Sequence, residues 1–207
     1  MKISLSDAGK RFNRDWIFRH LTFNFESSNS YAITGPNGSG KSTLLQILAG
    51  AVDPSEGKIE WQSNEMKIEE GKTYRHISIC APYLELVEEM TAREFLHFHS
   101  RFKPLLPQLN NNKILSLVGL EKAAGKQMRY YSSGMKQRVK LAQAIFSDTP
   151  VILLDEPCTN LDDKGYTLYN SLISEYCQNR LVIVSSNDKA EYAFCKEIID
   201  INTFKKF

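Results

Sequence analysis

The residue types and spacing between positions 35 and 43 fit G-x-x-x-x-G-K-[ST], the pattern of a phosphate-binding loop. Glycines let the backbone fold around an anion, with successive N–H groups pointing inward. The lysine of such a loop can reach the β- and γ-phosphates of a nucleotide, and the following serine can supply a hydroxyl to Mg²⁺. The residues that we predict to bind the phosphates are Gly35, Pro36, Asn37, Gly38, Ser39, Gly40, Lys41, Ser42 and Thr43, with Ser42 also as a metal ligand.

Two carboxylates, Asp155 and Glu156, directly follow the apolar run Val151–Leu154. A continuous apolar run predicts a strand buried on both faces of a parallel sheet, and ligands of such sheets bind at the carboxyl ends of the strands. Adjacent residues on a strand point in opposite directions, so the two carboxylates should have different roles. We predict that Asp155 binds Mg²⁺ and that Glu156 orients a water beyond the γ-phosphate. The alternative is a pair of surface carboxylates at the end of a strand.

The elements around these residues predict a mainly parallel sheet. Tyr31–Thr34 indicates a buried strand before the loop, and Leu44–Ala49 indicates a helix after it that ends at Gly50. Leu181–Val184 and Ile198–Ile201 indicate two further strands. Strands that alternate with helices are typical of an α/β fold with a parallel sheet.

The first thirty residues and Lys58–Trp61 show period-2 alternation and predict short strands in a small antiparallel β layer. Lys10–Trp16 reads as a polar turn between them. A helical segment is predicted at about residues 85–130, where Thr91 begins a capping box. Within it, the helical spacing of Phe95, Phe98 and Phe102 predicts that all three pack in the core.

Length and composition narrow the classes of function. The 207 residues suit one domain over 1–207, and a net charge of +2 gives no case for a nucleic-acid partner. No apolar run approaches the roughly 18 residues that span a bilayer, and the first residues do not resemble a signal peptide. The cysteines show no C-x-x-C spacing, so we expect reduced, packed thiols at Cys80, Cys158, Cys177 and Cys195.

Three further segments, in this order after the phosphate loop, make the chain resemble an ATP-binding-cassette ATPase over nearly its whole length. They are Ser132–Arg138, Leu153–Pro157 and Thr159–Asp162. The resemblance implies an α/β P-loop ATPase core with a mainly parallel sheet, an antiparallel β layer and an inserted helical subdomain at about residues 85–130. It also implies ATP and Mg²⁺ as cofactors.

One of these segments matches the signature loop of the family, usually written L-S-G-G-Q, through Ser132, Ser133, Gly134 and Met135. Departures at Tyr131, Ser133 and Met135 resemble exporter-type cassettes. In the family this loop contacts the γ-phosphate held by another cassette, so ATP joins a head-to-tail homodimer or heterodimer. A serine and the N–H groups of a helix N-terminus would form a second anion site. Taken alone, the segment is better explained as a plain helix cap, and it is its position between the phosphate loop and the carboxylate pair that favours the signature loop.

Two more assignments come from the resemblance. Asp162 matches the aspartate of the family's D-loop near the dimer seam; the alternative is a solvated turn residue. Phe12 lies at the family's usual distance before Lys41 for an aromatic that stacks on adenine, which requires a flat π face. Trp16 is a competing candidate, and Phe12 could instead belong to the core.

The chain departs from the family at two positions. The family has a glutamine near residues 82–83, whereas this chain has Pro82 and Tyr83, with Glu85 as the nearest polar substitute. The family also has a histidine after the last core strand, where this chain has Asn187, which we take as a catalytic residue. These departures imply slow hydrolysis.

On this resemblance we predict the ATP-hydrolysing subunit of a membrane transporter. It would work as a dimer of cassettes with an integral membrane transport subunit, in the cytoplasm at the inner face of the cell membrane. The alternative is a nucleotide-dependent clamp or regulator of the same fold that hydrolyses ATP weakly, and the two missing polar residues favour it. The sequence does not indicate a transported substrate.

Overall fold

A computed structural model of the chain describes residues 1–69 and 71–205. The strands are β1 (Lys2–Phe12), β2 (Asp15–Glu26), β3 (Ser30–Thr34), β4 (Glu56–Ser63), β5 (Met66–Lys67), β6 (Ile77–Cys80), β7 (Val151–Asp155), β8 (Leu181–Ser185) and β9 (Glu197–Asp200). The α-helices are α1 (Lys41–Leu48), α2 (Ala92–Ser100), α3 (Asn111–Leu117), α4 (Ser133–Ile145), α5 (Asp163–Tyr176) and α6 (Lys189–Tyr192).

The main sheet has five parallel strands in the order β6-β7-β8-β3-β9, so the mixed α/β fold with a mainly parallel sheet is confirmed. Each residue of β7 and β8 is buried, because the sheet is covered on both faces. Ile152 and Leu154 face one hydrophobic core, which includes α4 and α5, whereas Val151 and Leu153 face a second core with α1 and the antiparallel layer. The sheet therefore brings the ends of β3, β7 and β8 side by side at one edge.

The antiparallel layer is confirmed, with the order β2-β1-β4-β5, but its first strands are not short. β1 has 11 residues and β2 has 12, so the turn predicted over Lys10–Trp16 is present but shorter than predicted. Only Asn13 and Arg14 lie between the two strands. The polar side chains belong to an exposed ribbon, in which Arg11 pairs with Trp16 across the strands. Cross-strand pairing, which composition does not reveal, decides the structure here.

The capping box at Thr91 is confirmed: its Oγ1 accepts from Glu94 N at 3.2 Å, and its N–H donates to Glu94 Oε2 at 2.8 Å. The phenylalanine stripe is wrong as a core prediction, because only Phe95 is buried. Phe98 is 46% exposed and Phe102 is 64% exposed. The helix α2 ends at Ser100, so the helical spacing does not extend to Phe102.

The longest helix among the described residues is α5, with 14 residues. No helix within residues 1–69 and 71–205 has both the length and the apolar character needed to cross a bilayer. All four cysteines are free thiols, and Cys80, Cys158 and Cys177 are buried, as expected for packed residues. Burial raises the pKa of Cys80 to about 12.

His99 is a partly buried histidine whose Nε2 lies 2.8 Å from Ser147 Oγ. Burial, helped by the charge of Lys103, lowers the pKa of His99 from 6.5 to about 4. The unfolded chain therefore binds the proton more readily, and the stability that neutral His99 contributes above pH 6.5 is lost as pH falls towards 4. We predict that the free energy of unfolding decreases less between pH 7 and pH 5 in His99→Gln than in wild type. The glutamine keeps a polar partner for Ser147.

The measurement is the urea midpoint of unfolding at both pH values, for wild type and variant. His97→Gln is the matched control, since His97 is exposed on the same helix. An unchanged pH dependence in His99→Gln would contradict the prediction.

Candidate functional site

The phosphate loop connects the end of β3 to the start of α1 at the carboxyl edge of the parallel sheet. Gly38 and Gly40 have φ values of 75° and 101°, in the left-handed region that favours glycine. A Cβ on Gly40 would lie 2.2 Å from Ile17 Cγ2, so β2 packs directly against the loop. Glycine is therefore required at position 40 for both its backbone conformation and its small size.

Lys41 is only 5% exposed, and its Nζ donates to Gly35 O at 2.7 Å and to Pro36 O at 3.4 Å. The ammonium group is thus held over the loop by main-chain carbonyls. The helix α1 has no side-chain cap at its N-terminus, which leaves its first N–H groups available to an anion. Ser39 Oγ is buried, and none of the described residues forms a hydrogen bond with it. The loop offers a cation, free N–H groups and a hydroxyl to a phosphate.

Asp155, the last residue of β7, is 2% exposed, and its Oδ1 has no hydrogen-bond partner within residues 1–69 and 71–205. Ser185 pairs with it in the neighbouring strand, and Ser185 Oγ is also buried without a partner in the described part of the chain. Buried carboxylate oxygens are normally paired or bound to a metal, so this arrangement fits a divalent cation.

No group of three or more His, Cys, Asp and Glu side chains suited to a metal ion occurs in residues 1–69 and 71–205. A Mg²⁺ site with one carboxylate, one hydroxyl and substrate phosphates does not need such a group.

Glu156 directly follows β7 with φ of 43°, a conformation uncommon for residues other than glycine. Its N–H donates to Ser185 O at 2.9 Å, which fixes the start of this turn to β8. The side chain is partly exposed rather than buried like Asp155. The two carboxylates therefore have different environments, and that of Glu156 is accessible to water.

Asn187 lies against the phosphate loop. Its Nδ2 donates to Asn37 Oδ1 at 3.0 Å, and its Oδ1 accepts from Gly35 N at 3.3 Å. The amide is thus placed beside the loop that would hold the phosphates, 150 residues away in sequence from Asn37. Its part in hydrolysis stays a prediction.

The predicted signature loop begins α4. Ser132 is the N-cap, its Oγ accepts from Met135 N at 3.3 Å, and both Ser132 and Ser133 are exposed. Asp162 begins α5 in the same way, with Oδ1 accepting from Gly165 N at 2.9 Å. Both helices therefore present their N-terminal ends at the surface, where contact with a second cassette stays a prediction.

Phe12 is 50% exposed, so it is not a core residue. Trp16 is covered by two guanidinium groups, those of Arg11 and Arg19, at 5.5 and 4.2 Å from its ring. Phe12 has one cation nearby, Lys10 Nζ at 5.2 Å. An exposed ring next to a loop-covering ribbon suits stacking better than a ring already covered twice, so Phe12 stays our candidate for adenine.

Tyr83 lies in the segment where we predict that the chain lacks the family's glutamine, and this replacement stays a prediction. Partial burial raises the pKa of Tyr83, a hydrogen bond with Gln46 opposes this rise, and the charge of Asp155 adds to it. The charge of Asp155 thus acts on the Tyr83 hydroxyl, which places Tyr83 within electrostatic range of the predicted metal ligand. Glu85, the substitute suggested by the sequence, lines a surface groove instead.

Sequence reasoning did not single out the buried polar residues around the site, of which Gln137 and Glu191 have long side chains. Gln137 and Glu191 are each 3% exposed. Gln137 lies in the segment Ser132–Arg138, and Glu191 follows Asn187 by four residues. Only their burial, which sequence does not display, distinguishes them from ordinary surface residues.

A glycine-rich phosphate loop between a parallel strand and a helix N-terminus, with a carboxylate pair ending a neighbouring strand, defines a P-loop nucleotide-binding protein. The sequence profile of the family described as "ABC transporter" matches residues 18–159, and the chain belongs to this family. The predicted resemblance to ATP-binding cassettes is thereby confirmed. Members of this family bind nucleotide and are ATPases.

Two relatives illustrate the similarity. The cytochrome c biogenesis ATP-binding export protein CcmA of Xylella fastidiosa (strain 9a5c) is 36% identical over 77% of this chain and 71% of its own length. The protein of the same name from Haemophilus influenzae is 30% identical over 91% of this chain and 90% of its own length. This chain is thus an ATP-binding subunit of the ABC class.

A solved structure, the dimeric post-hydrolysis state of the ATP-binding cassette MJ0796 with ADP and Pi, matches with a TM-score of 0.81. It covers 96% of this chain and 94% of that chain at 24% identity. The match confirms the fold of a P-loop ATPase cassette.

Proposed function

We propose that this chain binds and hydrolyses Mg·ATP as the ATPase subunit of an exporter-type ABC transporter whose membrane-spanning part is a separate protein. The observation that carries the proposal is Asp155, which is 2% exposed at the edge where the phosphate loop lies and whose Oδ1 has no partner among the residues that the structure describes. Export is the direction we propose, since Ser133 and Met135 resemble exporter-type loops and the Xylella relative is named an export protein.

Each predicted site residue has a role in this proposal. The N–H groups of the loop and Lys41 bind the phosphates, and Phe12 stacks on adenine. Ser42 and Asp155 would hold Mg²⁺, which supplies charge neutralisation at the β- and γ-phosphate oxygens. Glu156 orients the attacking water, and Asn187 donates to the γ-phosphate.

A second cassette, identical or different, would complete the site. The exposed N-terminus of α4, with its signature loop, offers N–H groups and a serine to the γ-phosphate of that partner. Asp162 would lie near the seam. A Cβ atom added to Gly134 would lie 3.0 Å from Asn160 O, so the signature loop and the segment before Asp162 are packed together.

A surface groove between the sheet and the helical segment favours the proposal of a membrane partner. Two cavities of about 350 and 170 Å³ share Leu84, Glu85, Leu86 and Lys140. The smaller one is also lined by the exposed rings of Phe98 and Phe102. Exposed apolar patches with a charged rim mark protein interfaces. We propose that a cytoplasmic segment of the integral membrane subunit docks here.

In this proposal the chain is one cassette over 1–207, with residues 85–130 as its helical subdomain, in the cytoplasm at the inner face of the membrane. The test has two parts. Purified chain must release phosphate from Mg·ATP, and a tagged chain must co-purify with an integral membrane protein that stimulates this release. Absence of ATP binding would overturn the proposal.

A second candidate is a nucleotide-dependent clamp or regulator that hydrolyses ATP weakly. It is favoured by Asn187, whose amide is occupied by Asn37 and Gly35, and by Pro82 and Tyr83 where the family has glutamine. ATP-dependent dimerisation without turnover, and without a membrane partner, would select this candidate.

We predict that Asn187→His raises the rate of hydrolysis. Histidine reaches further than asparagine and can carry a positive charge at the γ-phosphate. Losing a pre-organised donor costs roughly 10²–10³ in rate, and since asparagine keeps a donor we expect a gain of less than about 10²-fold. The measurement is steady-state phosphate release at saturating Mg·ATP.

Asn179→His is the control, because Asn179 is exposed and precedes β8 at the opposite edge of the sheet. A wild-type rate of roughly 10 s⁻¹, typical of efficient enzymes, would show that the departure is compensated elsewhere. A lower rate in Asn187→His would show the same.

A further inference from the structure

The peptide group between Pro157 and Cys158 is held on both sides by buried side chains. Gln137 Nε2 donates to Pro157 O at 2.7 Å, and Glu191 Oε1 accepts from Cys158 N at 2.7 Å. The carbonyl and the N–H belong to one peptide unit, so both of its hydrogen-bonding groups are satisfied by side chains. We call this arrangement the peptide clamp.

The clamp joins three parts of the site. Gln137 lies on α4, which begins at the signature loop, and Glu191 lies on α6, which follows Asn187. The peptide between them comes one residue after Glu156. The turn that carries Glu156 is therefore fixed to both helices that follow predicted γ-phosphate contacts.

Glu156 needs such support because its φ of 43° is unfavourable for a residue with a side chain. Backbone strain of this kind persists only where the surroundings hold it. On the N-terminal side, the N–H of Glu156 is fixed to Ser185 O at 2.9 Å. On the C-terminal side, the clamp fixes the Pro157–Cys158 peptide group, which is the second peptide group after Glu156. Loss of the clamp would free one end of the turn.

Burying the carboxyl group of Glu191 to make this contact is energetically unfavourable. Burial raises the pKa of Glu191, and the charges of Asp188 and Glu156 add to the rise. Its Oε2 makes no hydrogen bond of ordinary geometry within the described residues, although the Ser186 hydroxyl is close enough to offset part of the rise. A buried carboxyl with one unpaired oxygen is unfavourable for stability, which points to a functional reason for its position.

We propose that Gln137 and Glu191 are positioning residues that hold Glu156 in the orientation needed for hydrolysis. The inference rests on the proposed role of Glu156 in water activation. Neither side chain touches the nucleotide in this proposal; both act through the backbone of the turn.

The test compares Gln137→Leu and Glu191→Leu with wild type in phosphate release and ATP binding. A misplacement of about 1 Å can cost roughly 10²-fold in rate, so we expect kcat to fall by about 10- to 100-fold. The Kd for ATP should change by less than about 3-fold, because the phosphate loop is intact. Glu191→Gln keeps an oxygen acceptor for Cys158 N–H and should recover most of kcat.

Tyr169→Phe is the matched control. Its hydroxyl donates to Glu191 O at 2.8 Å, so the variant loses a buried hydrogen bond to the same residue of α6 but leaves the clamp intact. We expect a lower unfolding midpoint with unchanged kcat. A fall in kcat equal to that of Glu191→Leu would overturn the inference, and so would wild-type kcat in both leucine variants.

Amide hydrogen exchange at Cys158 gives a readout that does not need activity. The clamp requires slow exchange in wild type and Glu191→Gln and faster exchange in Glu191→Leu. Equal rates of hydrolysis in wild type and Glu156→Gln would overturn the proposed function, and Cys158 exchange would then still decide whether the clamp holds the turn. Exchange that is equally fast in all three proteins would overturn the clamp.

Discussion

Glu156→Gln should remove nearly all phosphate release while leaving ATP bound. The amide keeps the size of the side chain but cannot accept a proton from the attacking water, and such proton transfer contributes roughly 10²–10⁴ in rate. The phosphate loop and Asp155 are unchanged in this variant, so nucleotide affinity should stay close to wild type. Single-turnover phosphate release and a separate binding titration measure the two effects.

The same variant should accumulate an ATP-bound dimer, since the γ-phosphate that joins the two cassettes is not consumed. Light scattering with saturating Mg·ATP measures the state, first with the chain alone and then with its membrane partner. Glu121→Gln, at an exposed position outside the site, is the control and should behave as wild type. Monomer under both conditions would contradict the signature-loop assignment.

Lys41→Ala should greatly weaken the binding of ATP. Lys41 lies within the loop, with its Nζ 2.7 Å from Gly35 O, and would exchange these carbonyl contacts for the β- and γ-phosphates. A charge-assisted hydrogen bond contributes about 1.5–3 kcal/mol, so losing two should weaken binding by at least roughly 10²-fold. A titration with a fluorescent ATP analogue, checked by competition with ATP, measures the change.

Lys103→Ala is a matched control for Lys41→Ala. Lys103 Nζ also donates to a main-chain carbonyl, Ile77 O at 2.7 Å, but at the far edge of the sheet. The control should keep wild-type affinity for ATP. Equal affinity in Lys41→Ala and wild type would exclude the phosphate loop as the binding site.

The parts of the site that the sequence predicted are local in the chain. The phosphate loop, the strand that ends at Asp155 and the helix that begins at Ser132 each follow from a few adjacent residues. Their types and spacing set the backbone conformation, so no distant contact was needed to recognise them.

The parts that the sequence did not predict depend on distant contacts. The peptide clamp joins residues 20 and 33 positions apart. Asn187 was predicted as a site residue, but its contact with Asn37, 150 positions away, was not. Phe98 and Phe102 were misplaced because helical spacing does not show which helix face is covered. The turn predicted over Lys10–Trp16 is limited to Asn13 and Arg14, because pairing between the strands, not polarity, sets where β1 ends and β2 begins.

The strand order has a consequence for synthesis of the chain. β3, which leads into the phosphate loop, lies between β8 and β9 in the sheet, and these are among the last segments to be translated. Ribosomes add roughly 5–20 residues per second. The 150 residues that separate Asn37 from Asn187 therefore correspond to a delay of roughly 8–30 s. During that delay β3 has neither of its sheet neighbours, so the phosphate loop cannot take its place in the finished site until β8 and β9 have been synthesised.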